Sequence, residues 1–219
     1  MKRYSLLLLG GFILFSCEKE ENKEFIRSNS LFNDITNLKK YNNIQKKDVD
    51  TLIKISASNE DYIIDGYLSK RLNKKTGWWN IQDKHNKFNK AKIQYLYFEN
   101  KEKVNQFIFY KNNTIDSSRS KFYDLRKSEN TITYTFCTPK SKETALSGKL
   151  FYIVTDKNNE ILTESKIESK KNNNSYQIKI KTPLIKKLII KGLFSEILNI
   201  ENSDLGTNEI FTEDLINNE

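Results

Sequence analysis

From Asp61 onward the chain alternates. In Tyr62 to Lys70, Trp78 to Gln82, Lys92 to Phe98, Val104 to Tyr110 and Lys121 to Leu125, apolar and aromatic residues recur at nearly every second position. That is the period of a strand with one buried face. The connectors are Asn73 to Gly77, Asp83 to Asn89, Glu99 to Lys103 and Lys111-Asn112-Asn113, clusters of Asn, Gly and Asp that accept left-handed backbone at hairpin turns. A meander of antiparallel hairpins is therefore expected over residues 61–127. Beyond Lys127-Ser128-Glu129-Asn130, Ile132, Tyr134 and Phe136 alternate with threonines, and further strands are predicted at Lys149 to Thr155, Ile161 to Ile167, Tyr176 to Lys181 and Lys187 to Leu193. Strands at this spacing predict a small β-sandwich-like region in residues 128–219, its last strand running past Gly192 through a bulge and its tail closing in a short segment near Ile210-Phe211.

Before Asp61 the period differs. Leu31, Phe32, Ile35, Leu38 and Tyr41 fall at helical spacing, and Val49, Leu52 and Ile53 begin a second set behind Asp48, a residue suited to an N-cap. Residues 31–60 are thus expected to hold short helices, with the rest of the chain mainly β. Residues 17–30, polar and charged, predict a flexible tether.

One apolar run obeys neither period. Lys2 and Arg3 lead into Leu6 to Phe15, which closes on Leu14-Phe15-Ser16-Cys17 and turns charged at Glu18. About 20 apolar residues are needed to span a bilayer, and this run is too short. The stretch resembles a bacterial lipoprotein signal with its lipobox, Phe15 being bulkier than the residue usual at that place. The resemblance implies removal of residues 1–16 and acylation of Cys17, and with two or more chains, at about 0.8 kcal/mol per buried methylene, a stable membrane anchor. Lys19-Glu20-Glu21 resembles the short lysine-plus-two-acids export signal of Bacteroidetes lipoproteins, which implies the bacterial outer membrane and its outer face. A solvated charged tether explains the same three residues, so cell surface and periplasmic face both stay open.

Charge alters the picture through its distribution. The formal net charge is +9, yet Gly192 to Glu219 contains no Lys or Arg and seven acids. A basic body invites a nucleic-acid reading, but a lipid-anchored chain leaves the cytoplasm, so no nucleic-acid partner is expected. Once Cys17 is lipidated, Cys137 is the remaining thiol, no intramolecular disulfide can form, and Cys137 reads as a small apolar strand residue.

Within 61–127 a second resemblance emerges. Gly66-Tyr67, Lys75-Thr76-Gly77-Trp78-Trp79, Tyr95-Leu96-Tyr97-Phe98, Asn105 to Tyr110 and Ser120 to Tyr123 resemble degenerate MORN-type repeats of Bacteroidetes lipoproteins and antitoxin-like proteins, with most turn glycines replaced by Asn or Lys. The resemblance implies stacked hairpins over a shared aromatic row and no catalytic residues. Tyr67, Trp78, Trp79, Tyr95, Tyr97 and Tyr110 are either core or an exposed platform for a glycan, peptide or lipid. Neighbouring residues on a strand point to opposite faces, so at most one of Trp78 and Trp79 serves the main core.

The chain contains no phosphate-cradling glycine loop, HExxH, CxxC or GxSxG, and its single histidine, His85, lies in a polar connector. Neither metal, cofactor nor enzymatic activity is expected. Two function classes follow: a membrane-anchored, non-enzymatic lipoprotein binding a partner protein or an envelope glycan, or a lipoprotein immunity or antitoxin-like protein that neutralises a toxin.

Overall fold

The computed structural model describes residues 32–141, 144–183, 185, 187–200 and 204–217. Cys17 and Lys19-Glu20-Glu21 lie outside the described residues. The chain is mainly β, as the alternation predicts. An N-terminal antiparallel sheet runs in sequence order through β1 (Asn43–Val49), β2 (Leu52–Ser58), β3 (Tyr62–Ser69), β4 (Lys75–Asp83), β5 (Lys90–Phe98), β6 (Lys101–Lys111) and β7 (Thr114–Ile115). Its tight turns use the residues that tolerate positive φ. Asn112 and Asn113 join β6 to β7, while Glu99 and Asn100 join β5 to β6, all four with φ between 50° and 61°. A two-residue hairpin loop with positive φ at both positions matches the right-handed twist of the strands it joins.

Residues 31–60 correct the helical expectation. A single helical turn at 32–35 and a 3-10 turn at Leu38–Lys40 form where the first apolar set predicts helix. The second set forms the β1–β2 hairpin, with Asp48 opposite Ile53 in the ladder rather than capping a helix, and Asp50 at φ 47° in the turn. Ile53, Ile55 and Ala57 alternate toward the core, and a β-branched run favours strand over helix. The segment 32–41 lies over the sheet: Phe32 and Tyr41 are buried with Ile55, Ile64, Trp79, Ile93, Tyr95 and Phe107. Thr36 Oγ1 donates to Phe32 O and accepts from Tyr95 OH at 2.7 Å. Gly66 is required beneath Trp79, since a Cβ there would meet Trp79 Cδ2 at 2.2 Å.

Two further sheets form the sandwich. One has the order β12 (Ser175–Lys181), β9 (Thr131–Cys137), β8 (Phe122–Ser128); the other has the order β11 (Ile161–Ser169), β10 (Thr144–Thr155), β13 (Lys187–Ile200), β14 (Asp204–Asn217). Their inner faces share a core of Ile132, Tyr134 and Phe136 against Leu150, Val154, Ile190, Phe194 and Ile210, with Phe136 stacked on Phe194 at 4.2 Å. The strand expected from Lys121 joins the two bodies: Lys121 itself bridges Phe107 of β6, and the residues after it pair with β9 as β8 of the sandwich. The acidic tail is a full strand: β13 and β14 pair in continuous register from Lys187↔Asn217 to Ile200↔Asp204, with no bulge at Gly192. The alternation of Ile210, Thr212 and Ile216 supplies its buried face, masked in sequence by the intervening acids.

Candidate cleft between the sheet and the sandwich

Where the two bodies meet, side chains stand in for a missing strand. At β14, the edge strand of its sheet, Asn105 Oδ1 accepts from Phe211 N–H at 2.8 Å, and its Nδ2 donates to Phe211 O at 2.9 Å. Lys121 Nζ donates to Glu209 O at 3.1 Å, and Gln106 Oε1 accepts from Tyr123 N–H at 3.0 Å. The residue that makes Asn105 available is a bulge: Gln94 pairs with Gln106 and Tyr95 with Val104, leaving Asn105 unpaired on β6. A bulge re-aims a side chain and bends its strand. Gln94 Oε1 accepts from both Asn105 Nδ2 and Gln106 Nε2 at 2.7 Å, holding the two amides in place.

This junction is the back of a cleft of about 1350 Å³ between the β5–β6 hairpin and the outer face of the β11–β10–β13–β14 sheet. The sheet registers dictate its floor. Lys166, Phe151, Leu193 and Phe211 stand in one cross-strand row, and Phe98 continues it from the hairpin with its ring 5.4 Å from that of Phe211. Phe151 and Phe98 are 48% and 45% exposed. Neighbouring strands lie about 4.8 Å apart, so the row is a continuous apolar stripe several strands wide. On one side runs the row Glu164–Ile153–Lys191–Glu213, on the other Glu168–Lys149–Ser195–Glu209. Lys191 pairs with Glu213 at 3.1 Å, and Lys149 and Lys166 both pair with Glu168, at 3.3 and 3.1 Å. The lysines of the walls are thus paired within the protein, whereas Glu164 has no ion-pair partner among the described residues, and Lys166 and Glu168 keep exposed side chains. Lys166 and Lys103 also lie over the rings of Phe151 and Phe98, at 5.5 and 4.9 Å.

Lys121 is the chemically unusual group of the wall. It is 5% exposed, and burial lowers its ammonium pKa to about 8, with the Glu209 carboxylate partly offsetting that effect. At the sandwich rim Asp214 accepts from Tyr134 OH at 2.9 Å and Tyr123 OH at 3.1 Å; burial raises its pKa and the two hydroxyls oppose the rise. Inside the sandwich, fully buried Glu196 accepts from Lys171 Nζ at 2.6 Å, Asn208 Nδ2 at 2.7 Å, Tyr176 OH at 2.9 Å and Thr138 Oγ1 at 3.0 Å. Each donor comes from a different strand or loop, so this carboxylate ties the sandwich together.

The structure divides the aromatic residues singled out in sequence. Trp79 and Tyr95 are core, 0% and 1% exposed, and present no binding surface. Tyr97, at the open end of β5, lines the cleft. Trp78 is half-buried on the opposite face of β4 from Trp79, across from the cleft residue Gln94. Tyr67 and Tyr110 are half-buried on their strands, outside the cleft lining. Phe98, Phe151, Leu193 and Phe211 were not singled out, although β10 carries a readable sign: Phe151 and Ile153 are apolar on the face opposite Leu150, Tyr152 and Val154. A strand apolar on both faces needs cover on both.

Burial raises the Cys137 thiol pKa, which makes it a poor nucleophile, and among the described residues no group of His, Cys, Asp and Glu could hold a metal ion. Among them, too, no helix is long and apolar enough to cross a membrane. Compared with protein-family models and with curated proteins, the chain matches none.

Proposed function

We propose that this chain is a non-enzymatic bacterial lipoprotein, held at the outer membrane by acyl chains on Cys17, whose cleft binds a partner protein or an envelope glycan. The observation that carries this reading is the stripe Phe98–Phe211–Leu193–Phe151, an apolar surface left open between two bodies that are otherwise well packed. Contiguous apolar surface of this kind marks interaction sites in soluble domains. The rigid junction at Asn105 and Lys121 supports it, because a preformed cleft loses little conformational freedom on binding.

The test is retention of ligand by the full chain purified from membranes in detergent and presented with solubilised envelope proteins and with purified envelope glycans. A specific ligand should be retained and then lost about tenfold or more by Phe151→Asp, which places a charge in the apolar stripe. Equal retention by wild type and variant overturns the cleft as the binding site.

A further inference from the structure

We infer that the open margin of the cleft, at β11, takes an extended polypeptide segment, which adds to the four-stranded sheet beside β11 and carries basic, acidic and basic side chains at alternate positions. The inference rests on the cleft being the binding site and adds the chemistry of its partner.

The backbone geometry follows from Phe211. In an antiparallel sheet a residue turns its N–H and C=O to the same side, and the next residue turns them to the other. Phe211 turns both away from β13, to Asn105. Thr212 therefore faces Gly192 across β13–β14. Leu193, the next residue, faces Phe151 across β10–β13, and Tyr152 then faces Ser165 across β10–β11. The N–H and C=O groups of Glu164, Lys166 and Glu168 are left pointing out of the sheet. β11 is the edge strand there, and among the described residues no hydrogen bond reaches those backbone groups.

The two edges of this sheet are treated differently. At β14 the outward groups of Glu209, Phe211 and Asn217 are taken by Lys121, Asn105 and Lys127. At β11 the outward groups of Glu164, Lys166 and Glu168 have no such cover among the described residues. Its last residue, Ser169, donates through Oγ to Gln177 O of β12 at 3.0 Å, while Ile161 and Leu162 at its start are 62% and 39% exposed, one strand from exposed Phe151. An open edge with exposed apolar side chains is the template for strand addition.

Charge then selects the strand. An added segment extends the three cross-strand rows by one position, opposite Glu164, Lys166 and Glu168. Opposite charges directly across a ladder stabilise and like charges repel, so the complement is basic, acidic, basic. The pattern reads the same in either direction and does not depend on whether the strand adds parallel or antiparallel. Intervening side chains fall beside Thr163, Ser165 and half-buried Ile167, where small or branched apolar residues fit.

The experiment uses the peptide Thr-Val-Lys-Val-Glu-Val-Lys-Val-Thr and the full chain in detergent, read by amide hydrogen exchange. Binding should slow exchange at Glu164, Lys166 and Glu168 about tenfold or more while leaving Ile44 and Lys46, whose amides face out of edge strand β1, unchanged. A peptide with Lys and Glu interchanged, and one with proline at its centre, should bind about tenfold more weakly or worse. The double variant Glu164→Lys, Glu168→Lys, at exposed positions, should reverse the preference between the two charge patterns. No slowing at the three amides, or equal affinity for both charge patterns, overturns the inference. If wild type retains an envelope ligand that Phe151→Asp loses, while these amides stay unprotected, the cleft reading stands and strand addition falls.

Discussion

Asn105 pairs with Phe211 as a neighbouring strand would, accepting from its N–H at 2.8 Å and donating to its C=O at 2.9 Å across 106 positions of sequence. One bulged residue therefore seals a sheet edge and fixes the angle of the cleft. Asn105→Ala leaves both groups of Phe211 without a partner in a junction where Asn105 itself is 4% exposed. The expected loss of stability is about 2 kcal/mol, measured by urea unfolding. A loss within experimental error of zero would show that water replaces the amide without cost.

Much of the architecture is legible in the sequence because half-buried strands print a period of two. The segment 49–53 misled because an interval of three or four apolar residues, read over so short a stretch, fits helix as well as hairpin, and only Ile55 and Ala57 extend the alternation. The cleft was harder to see. Its floor is assembled from β5, β10, β13 and β14, and no local pattern reports that Phe98 will meet Phe211. Trp78 and Trp79 are the largest side chains of the meander, yet Trp79 is buried over Gly66, and the apolar stripe is built from Leu193 and three phenylalanines spread along the chain.

Glu196 offers a second stability test. Replacing it with leucine strands the Lys171 ammonium, 17% exposed, and removes the acceptor of Thr138, Tyr176 and Asn208. Breaking one partner of a buried ion pair costs about 3–5 kcal/mol. Chemical denaturation should show a loss of that order, and a loss below about 1 kcal/mol would mean that the network is redundant with the surrounding apolar core.

Lys121 makes stability depend on alkaline pH. Its amine titrates at 10.5 in the unfolded reference and at about 8 in the folded protein. Between those values the unfolded chain holds more protons than the folded one, so this group makes stability rise with pH across the window. Below about pH 8 its contribution is a constant penalty. The difference in unfolding free energy between wild type and Lys121→Met should therefore shift toward the wild type from pH 8 to 10. Parallel curves for the two proteins would place the titration elsewhere.

On the proposed anchoring, Cys17→Ser should abolish acyl labelling and release the protein from membranes. Changing Lys19, Glu20 and Glu21 together to alanine should preserve attachment and convert a protease-accessible protein on intact cells into a protected one. Wild-type protein already protected before lysis would favour the periplasmic face and a plain tether.

The most direct measurement is site-specific photo-crosslinking in living cells, with the reactive side chain placed at Leu193 on the cleft floor or, for comparison, at Lys47 on exposed β1. Binding in the cleft predicts a discrete adduct from position 193 that disappears when Phe151→Asp is added, and none of that size from position 47. The same adducts from both positions, or an adduct from 193 that survives Phe151→Asp, would contradict the account.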